Sequence, residues 1–283
     1  MQTRERDTIE MNCDVHEGTG PYLLMVHGFL SSRAQWELNL AALSQVARPV
    51  VVELWGHGRS PAPTEPAIYH PDAYVAAFER LRQRLGVERW LVCGQSLGAA
   101  LTLRYALTHP DRIVAQIFTN TNAGMADAAW IATRRVSALQ QAEAIERDGH
   151  TALMQVRVHP VHARRLPPAV QAALLADAQL HDPRGIAQTL RYTTPASPVR
   201  ERVGENRVPA LLVCGENERR FQLHRAFVKH AMPALQVVGA SAGHAVNIEA
   251  ADAFNDAAVA FINRHTCGAR NALSEQNPGQ STH

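Results

Sequence analysis

The chain has 283 residues, 46% of them hydrophobic, and a formal net charge of only +2. That length and composition suit one large α/β domain with an insertion and a sizeable core. So small a charge argues against a general nucleic-acid binder, and no apolar run approaches membrane-spanning length. Nearly all the positive charge is arginine. Lys229 is the only lysine, so Schiff-base and Ser-Lys chemistry have almost no candidate. Cys13, Cys93, Cys214 and Cys267 stand far apart and form no C-x-x-C pair, which fits a reduced cytoplasmic setting. Met1 to Arg6 leads into no apolar stretch, so no signal peptide is expected.

In chain order, weak alternation over residues 3 to 17 suggests an opening hairpin. Pro21 to Val26 reads as a strand, Ala34 to Val46 as a helix carrying Trp36, Leu40 and Leu43 at helical spacing, and Pro49 to Leu54 as a strand. Asp72 is a plausible N-cap for a helix ending near Leu85-Gly86. Trp90 to Gly94 is a strand, and the apolar helix after it must stop before Pro110. Ile113 to Phe118 is the next strand. Alternating strands and helices imply a mostly parallel twisted sheet flanked by helices.

That regularity breaks after Asn122. Residues 124–207 hold alanine-rich helical stretches, Ala128 to Arg147 and Pro168 to Leu180, and no convincing strand. They read as a helical cap inserted into a core made of residues 1–123 and 208–266. The core resumes with a strand at Pro209 to Cys214, a helix at Phe221 to His230, a strand at Ala234 to Val238 and a last helix at Val246 to Arg264. Residues 267–283 are polar and expected to be a flexible tail.

The most informative motif is Gly94-Gln95-Ser96-Leu97-Gly98, set between an apolar strand and an apolar helix. In that context G-x-S-x-G denotes a nucleophilic serine held at the tip of a sheet. His27-Gly28-Phe29-Leu30 lies upstream. The acidic loop Glu216-Asn217-Glu218 and then Ala242-Gly243-His244 lie downstream. Nucleophile, acid, histidine is the chain order of the α/β-hydrolases.

With these motifs the chain resembles a cap-bearing serine hydrolase of the α/β-hydrolase fold. His27 to Ser32 resembles the oxyanion loop of that family, and Glu53-Leu54-Trp55-Gly56-His57-Gly58-Arg59-Ser60 its D-x-x-G-H-G-x-S loop. A weaker resemblance is to MenH-like members. The family likeness implies Ser96 as nucleophile and His244 as base. It implies a carboxylate three residues after the strand-ending glycine, where this chain has Glu218 rather than aspartate. Glu216 is a rival on the same loop, and Asn120 and Asn122 leave the alternative acid position after the preceding strand without a carboxylate. The likeness assigns the oxyanion donors to the N–H groups of Phe29 and Leu97, and places Gly28 and Gln95 at the substrate. His57 reads as a structural brace. His159 and His162 have metal-like spacing but no partner cluster, so no metal or other cofactor is expected.

These residues imply hydrolysis of a small ester, thioester or related acyl compound through an acyl-enzyme on Ser96. The alternative is a MenH-like lyase or carbon–carbon bond hydrolase with the same triad, and a third reading is a non-catalytic ligand-binding member of the fold. A serine nucleophile counts against epoxide hydrolase and dehalogenase chemistry, which in this family use aspartate. The partner expected is a small-molecule acyl substrate, with neither nucleic acid nor membrane, and room is left for a homodimer.

Overall fold

Continuous runs of valine, leucine and isoleucine belong in strands buried on both faces, and the chain places them there. The computed structural model describes residues 9–274. Its strands are β1 (Cys13–Val15), β2 (Tyr22–Val26), β3 (Arg48–Val52), β4 (Trp90–Gly94), β5 (Ile113–Phe118), β6 (Ala210–Gly215) and β7 (Gln236–Ala240). They form one sheet in the order β1-β3-β2-β4-β5-β6-β7. Only β1 is antiparallel, pairing Cys13 with Val52; the other pairs are parallel.

The helices are α1 (Glu37–Leu43), α2 (Pro71–Arg84), α3 (Leu97–Thr108), α4 (Ala128–Asp148), α5 (His150–Gln155), α6 (Pro168–Ala178), α7 (Pro183–Gln188), α8 (Thr194–Ala196), α9 (Arg219–Ala231), α10 (Val246–Glu249) and α11 (Ala251–Ser274). Alternate strand residues feed opposite faces. Leu24, Val26, Val50, Val52 and Val92 pack on Tyr74 and Phe78 of α2 and Leu101 and Tyr105 of α3. Leu23, Met25, Val51, Leu91 and Cys93 pack on Trp36, Leu43, Phe254 and Phe261. Phe118, Leu212 and Cys214 continue the core against Phe221 and Val228 of α9.

This winding decides where a site can form. From β2 the chain steps out to β3, then returns to place β4 on the other side of β2. The reversal opens a crevice beyond the C-terminal ends of β2 and β4, the position where doubly wound sheets bind ligands. His27 to Leu30 leaves β2 there, and Gln95-Ser96 leaves β4 beside it. Between β5 and β6 the described elements are all helical; this stretch is called the insert below. Among the described residues no helix is long and apolar enough to cross a membrane.

Several boundaries differ from the sequence expectation, each for a local reason. At the N-terminus a single short strand pairs with β3, so its partner is distant in sequence and no hairpin forms among the described residues. Residues 1–8 of that expected hairpin lie outside the described residues. The N-cap of α2 is His70, whose Nδ1 accepts from Asp72 N while Pro71 takes the first helical position. Asp72 instead bonds Arg104 Nε at 2.6 Å. The last helix is broken at Ala250, which leaves helical geometry with ψ 57°. It then runs to Ser274, so helix occupies the first part of the segment expected as a tail. Residues 275–283 of that tail lie outside the described residues.

Candidate active site

The elbow at Ser96 is a strained turn built from small neighbours. Ser96 has φ 53° and ψ −112°, in the left-handed half of the map that side chains avoid. Such a residue costs on the order of 1–3 kcal/mol and persists only where its surroundings over-determine it. The flanking glycines show what over-determines it. A Cβ on Gly98 would stand 2.1 Å from the Val26 carbonyl oxygen, and one on Gly94 would stand 2.4 Å from Thr102 Oγ1. The first turn of α3 is thus pressed against the ends of β2 and β4, and the serine projects from the tip between them.

Three side chains from three loops then converge. His244 Nε2 lies 2.8 Å from Ser96 Oγ, and His244 Nδ1 lies 2.9 Å from Glu218 Oε2. Glu218 follows β6 and His244 follows β7. Asn122 Nδ2 donates to Glu218 Oε1 at 2.6 Å, and Asn120 Nδ2 donates to Glu218 Oε2 at 2.7 Å. Asn120 also brackets Gly215, accepting from its N–H and donating to its carbonyl, each at 3.0 Å. Burial works to raise the Glu218 carboxyl. The hydrogen bond and charge of His244, with the two asparagine donors, outweigh burial and hold it below the usual carboxylate range. Glu216 points elsewhere and pairs with Arg225 at 3.1 Å.

The loop after β2 supplies the opposite wall. Neither Phe29 N–H nor Leu97 N–H donates to another group among the described residues. The loop between them and the core is pinned. Gly28 N donates to Gln35 Oε1 at 3.2 Å, and the Gly28 carbonyl accepts from His27 Nδ1 at 2.7 Å and Ser31 N at 3.2 Å. Leu30 takes φ 55° to close this turn. Gln35 is itself held by Asn247, whose Nδ2 donates to the Gln35 carbonyl at 2.9 Å. Gln95, expected at the substrate, is buried instead, and its Nε2 donates to the His244 carbonyl at 3.1 Å. Its Oε1 would be 2.3 Å from a Cβ on Gly28, so the Gly28 position faces the glutamine side chain and the Ser96 Cβ.

His57 is fully buried beside two other histidines. Its ring centroid is 5.2 Å from that of His27 and 5.4 Å from that of His181 in the insert. Leu54 N donates to His27 Nε2 at 3.0 Å, and Gly58 N donates to His181 Nδ1 at 2.9 Å. Burial pushes His27 down to about 4, His181 to about 3 and His57 well below the usual histidine value. Glu53 occupies the aspartate position of the resembled loop. Its carboxylate is buried against Gly58 and pairs with Arg59 Nε at 2.6 Å. His159 accepts from Val161 N, while His162 meets the Met154 carbonyl at 2.9 Å, so both serve the insert's own turns. Of the insert's arginines, Arg191 pairs with Glu146 and Arg134 stacks on the Trp130 ring.

Sequence reasoning missed two supports of this site. Asn120 and Asn122 stand in the sequence as an acid position without a carboxylate, yet in the structure they grip one. Glu249 was not singled out for any role; it accepts from Gly243 N at 2.9 Å and Ala245 N at 3.3 Å, fixing the backbone on both sides of His244. The spacing around Gly243-His244 carried that second signal, because a carboxylate a few residues past a glycine turn can cap its free N–H groups.

A family model for the alpha/beta hydrolase fold matches residues 21–251. A curated relative, the putative 2-succinyl-6-hydroxy-2,4-cyclohexadiene-1-carboxylate synthase of Bacillus subtilis, is 25% identical over 80% of this chain and 85% of its own. Among solved structures, MenH from S. aureus is similar with a TM-score of 0.79 at 21% identity, covering 89% of this chain and 98% of that one. The enol-lactonase from Burkholderia xenovorans is similar with a TM-score of 0.74 at 24% identity, covering 89% and 96%.

Proposed function

The chain belongs to the alpha/beta hydrolase fold family, and we propose that it is a serine hydrolase of a small ester, thioester or related acyl compound. The observation that carries this reading is the relay Glu218–His244–Ser96, closed at 2.9 and 2.8 Å, with the N–H groups of Phe29 and Leu97 left unengaged among the described residues. The insert acts as a cap over the site. His244 Nε2 takes the Ser96 proton as Oγ adds to the substrate carbonyl carbon. The carbonyl oxygen becomes an oxyanion that accepts from Phe29 N–H and Leu97 N–H. Leu97 opens α3, so the helix dipole adds to its field. His244 then gives its proton to the leaving group, and water repeats the cycle on the acyl-enzyme. Glu218 keeps the imidazole proton on Nδ1, so that Nε2 faces the serine.

The test is turnover of p-nitrophenyl esters of graded chain length together with labelling by a fluorophosphonate. Wild type turns over and is labelled at Ser96. Ser96→Ala loses both, by at least about a thousandfold in kcat. Unchanged turnover in Ser96→Ala would refute the proposal.

A second reading is favoured by one observation, the likeness along most of the chain to a protein named as a cyclohexadiene carboxylate synthase. There Ser96 and His244 would act as a base for elimination, or the triad would hydrolyse a carbon–carbon bond. The same experiment separates them. Fluorophosphonate labelling without turnover of any ester, and with no acyl mass on Ser96 after rapid quenching, supports the second reading.

A further inference from the structure

We infer that Asp177, in the insert, is a positioning residue for the loop that carries the Phe29 N–H; this rests on the oxyanion role proposed above. The loop between Gly28 and Gln35 has two pins. The near pin belongs to the core, where Gln35 holds Gly28 N and is backed by Asn247. The far pin belongs to the insert. Ser32 Oγ donates to Asp177 Oδ2 at 2.8 Å, and Arg33 Nε lies 3.5 Å from the same oxygen. Ser32 is fully buried, and the Asp177 side chain is only 10% exposed. Ser32 Oγ also accepts from Ala34 N, so the hydroxyl that reaches Asp177 starts the helical turn behind the loop.

Phe29 and the left-handed Leu30 sit between these pins. Their backbone has no hydrogen-bonded neighbour strand to hold it. A donor must be held to within about half an ångström of its productive position, roughly 2.7–3.1 Å from the developing oxyanion, to act on it. The same stretch of the insert grips the neighbouring loop as well. Asp182 N donates to the Gly56 carbonyl at 3.0 Å, His181 accepts from Gly58 N, and Gly185 packs directly on Gly56. Residues 177–185 therefore fasten the insert to both loops that line the crevice. Seating of the insert and placement of the Phe29 N–H are one event. The bond that transmits it is Asp177 to Ser32.

The experiment compares wild type with Asp177→Ala and Asp177→Asn. The asparagine retains an oxygen that accepts from Ser32. The first readout is kcat and KM on a p-nitrophenyl ester. The second is affinity for a trifluoromethyl ketone relative to its methyl ketone. The fluorinated ketone adds Ser96 Oγ to its carbonyl carbon, with the serine proton passing to His244 and the oxygen becoming an oxyanion. The methyl ketone reports ground-state binding. The third readout is hydrogen–deuterium exchange of the peptide spanning residues 27–36 without ligand.

Asp177→Ala is expected to lower kcat by roughly 10- to 100-fold with KM nearly unchanged. Fluorinated-ketone affinity falls by a similar factor, methyl-ketone affinity holds, and exchange in the loop speeds up. Asp177→Asn restores most of each. An unchanged ketone ratio with unchanged loop exchange overturns the inference, as does a rise in KM at constant kcat. Should Asp177→Ala not fold, Ser32→Ala removes the other half of the bond and is read by the same criteria. Should wild type turn over no ester and bind no ketone, the hydrolase reading falls, and loop exchange alone decides whether Asp177 holds the loop.

Discussion

At Glu218 three donors meet one carboxylate, and their removal has a calculable direction. Asn120, Asn122 and His244 all stabilise the ionised form, and together they outweigh burial. A carboxyl held below its ordinary value stays ionised to lower pH, and its contribution is lost as pH falls through that lowered value. Asn122→Ala should therefore raise the pH at which the Glu218 carboxyl takes up its proton. It should also cost roughly 10- to 100-fold in kcat at neutral pH, the worth of one hydrogen bond to a charged group. A Glu218 carboxyl titration, followed by infrared or NMR, that coincides with wild type would remove Asn122 from this role. Glu218→Gln should lower kcat by on the order of 10³- to 10⁴-fold while Glu216→Gln leaves it within about twofold. Sequence spacing favoured Glu218 over Glu216 without settling between them. What separates them is where the side chains of Asn120 and Asn122, a whole insert away in sequence, come to lie. Gln95 escaped the motif for a related reason. A pentapeptide pattern marks the turn, and it does not say that the intervening side chain folds back under the histidine loop.

Elements were legible where burial on both faces left no alternative. β2, β4 and β6 are uninterrupted apolar runs and β5 is broken only by Gln116, and the structure places all four within two residues of expectation. Helix starts were less legible, because a side chain outside the usual capping set can supply the acceptor. His70 caps α2 with Pro71 behind it, where the nearby aspartate looked the better candidate. The insert was the least legible. Only two of its helices showed as runs, and the short α5, α7 and α8 and the π-helical turn Thr189–Thr193 carry too few residues to display a period. The elbow is the opposite case, an element whose geometry demands particular residues. Gly98→Ala would drive a methyl into the Val26 and His27 carbonyls. The strand and helix there are backbone against backbone, so nothing flexible can yield. We expect a loss of at least about 1–3 kcal/mol in urea unfolding, the usual scale of overpacking. Whatever folds should lose fluorophosphonate labelling at Ser96. Full labelling with wild-type stability would show that α3 can draw back from the strand ends.

Over the whole molecule, the seam between core and insert is built on neutral histidines, and this sets its response to acid. His27 Nε2 accepts from Leu54 N and His181 Nδ1 accepts from Gly58 N, so neither ring nitrogen can hold a proton without breaking a bond. Burial lowers His27 from 6.5 to about 4 and His181 to about 3, and holds His57 between them well below its ordinary value. The unfolded chain takes up protons at these residues near pH 6.5, whereas the folded chain refuses them until far lower. The unfolded state thus binds more protons between those limits, and stability must fall as pH drops through that window. Each such group contributes at most about 1.4 kcal/mol per pH unit there. His159, His224 and His265 are shifted in the same direction by burial and add to the slope. Urea unfolding at pH 7, 6 and 5 should show stability declining steadily, before most carboxylates begin to titrate. His181→Gln keeps an oxygen for Gly58 N and removes one titrating ring. Its decline from pH 7 to 5 should be shallower than wild type by up to one group's share. Equal slopes would mean that His181 already carries a proton, or sheds one freely, in the folded protein. The seam would then be held by the Asp182–Gly56 bond and the glycine contact rather than by that imidazole.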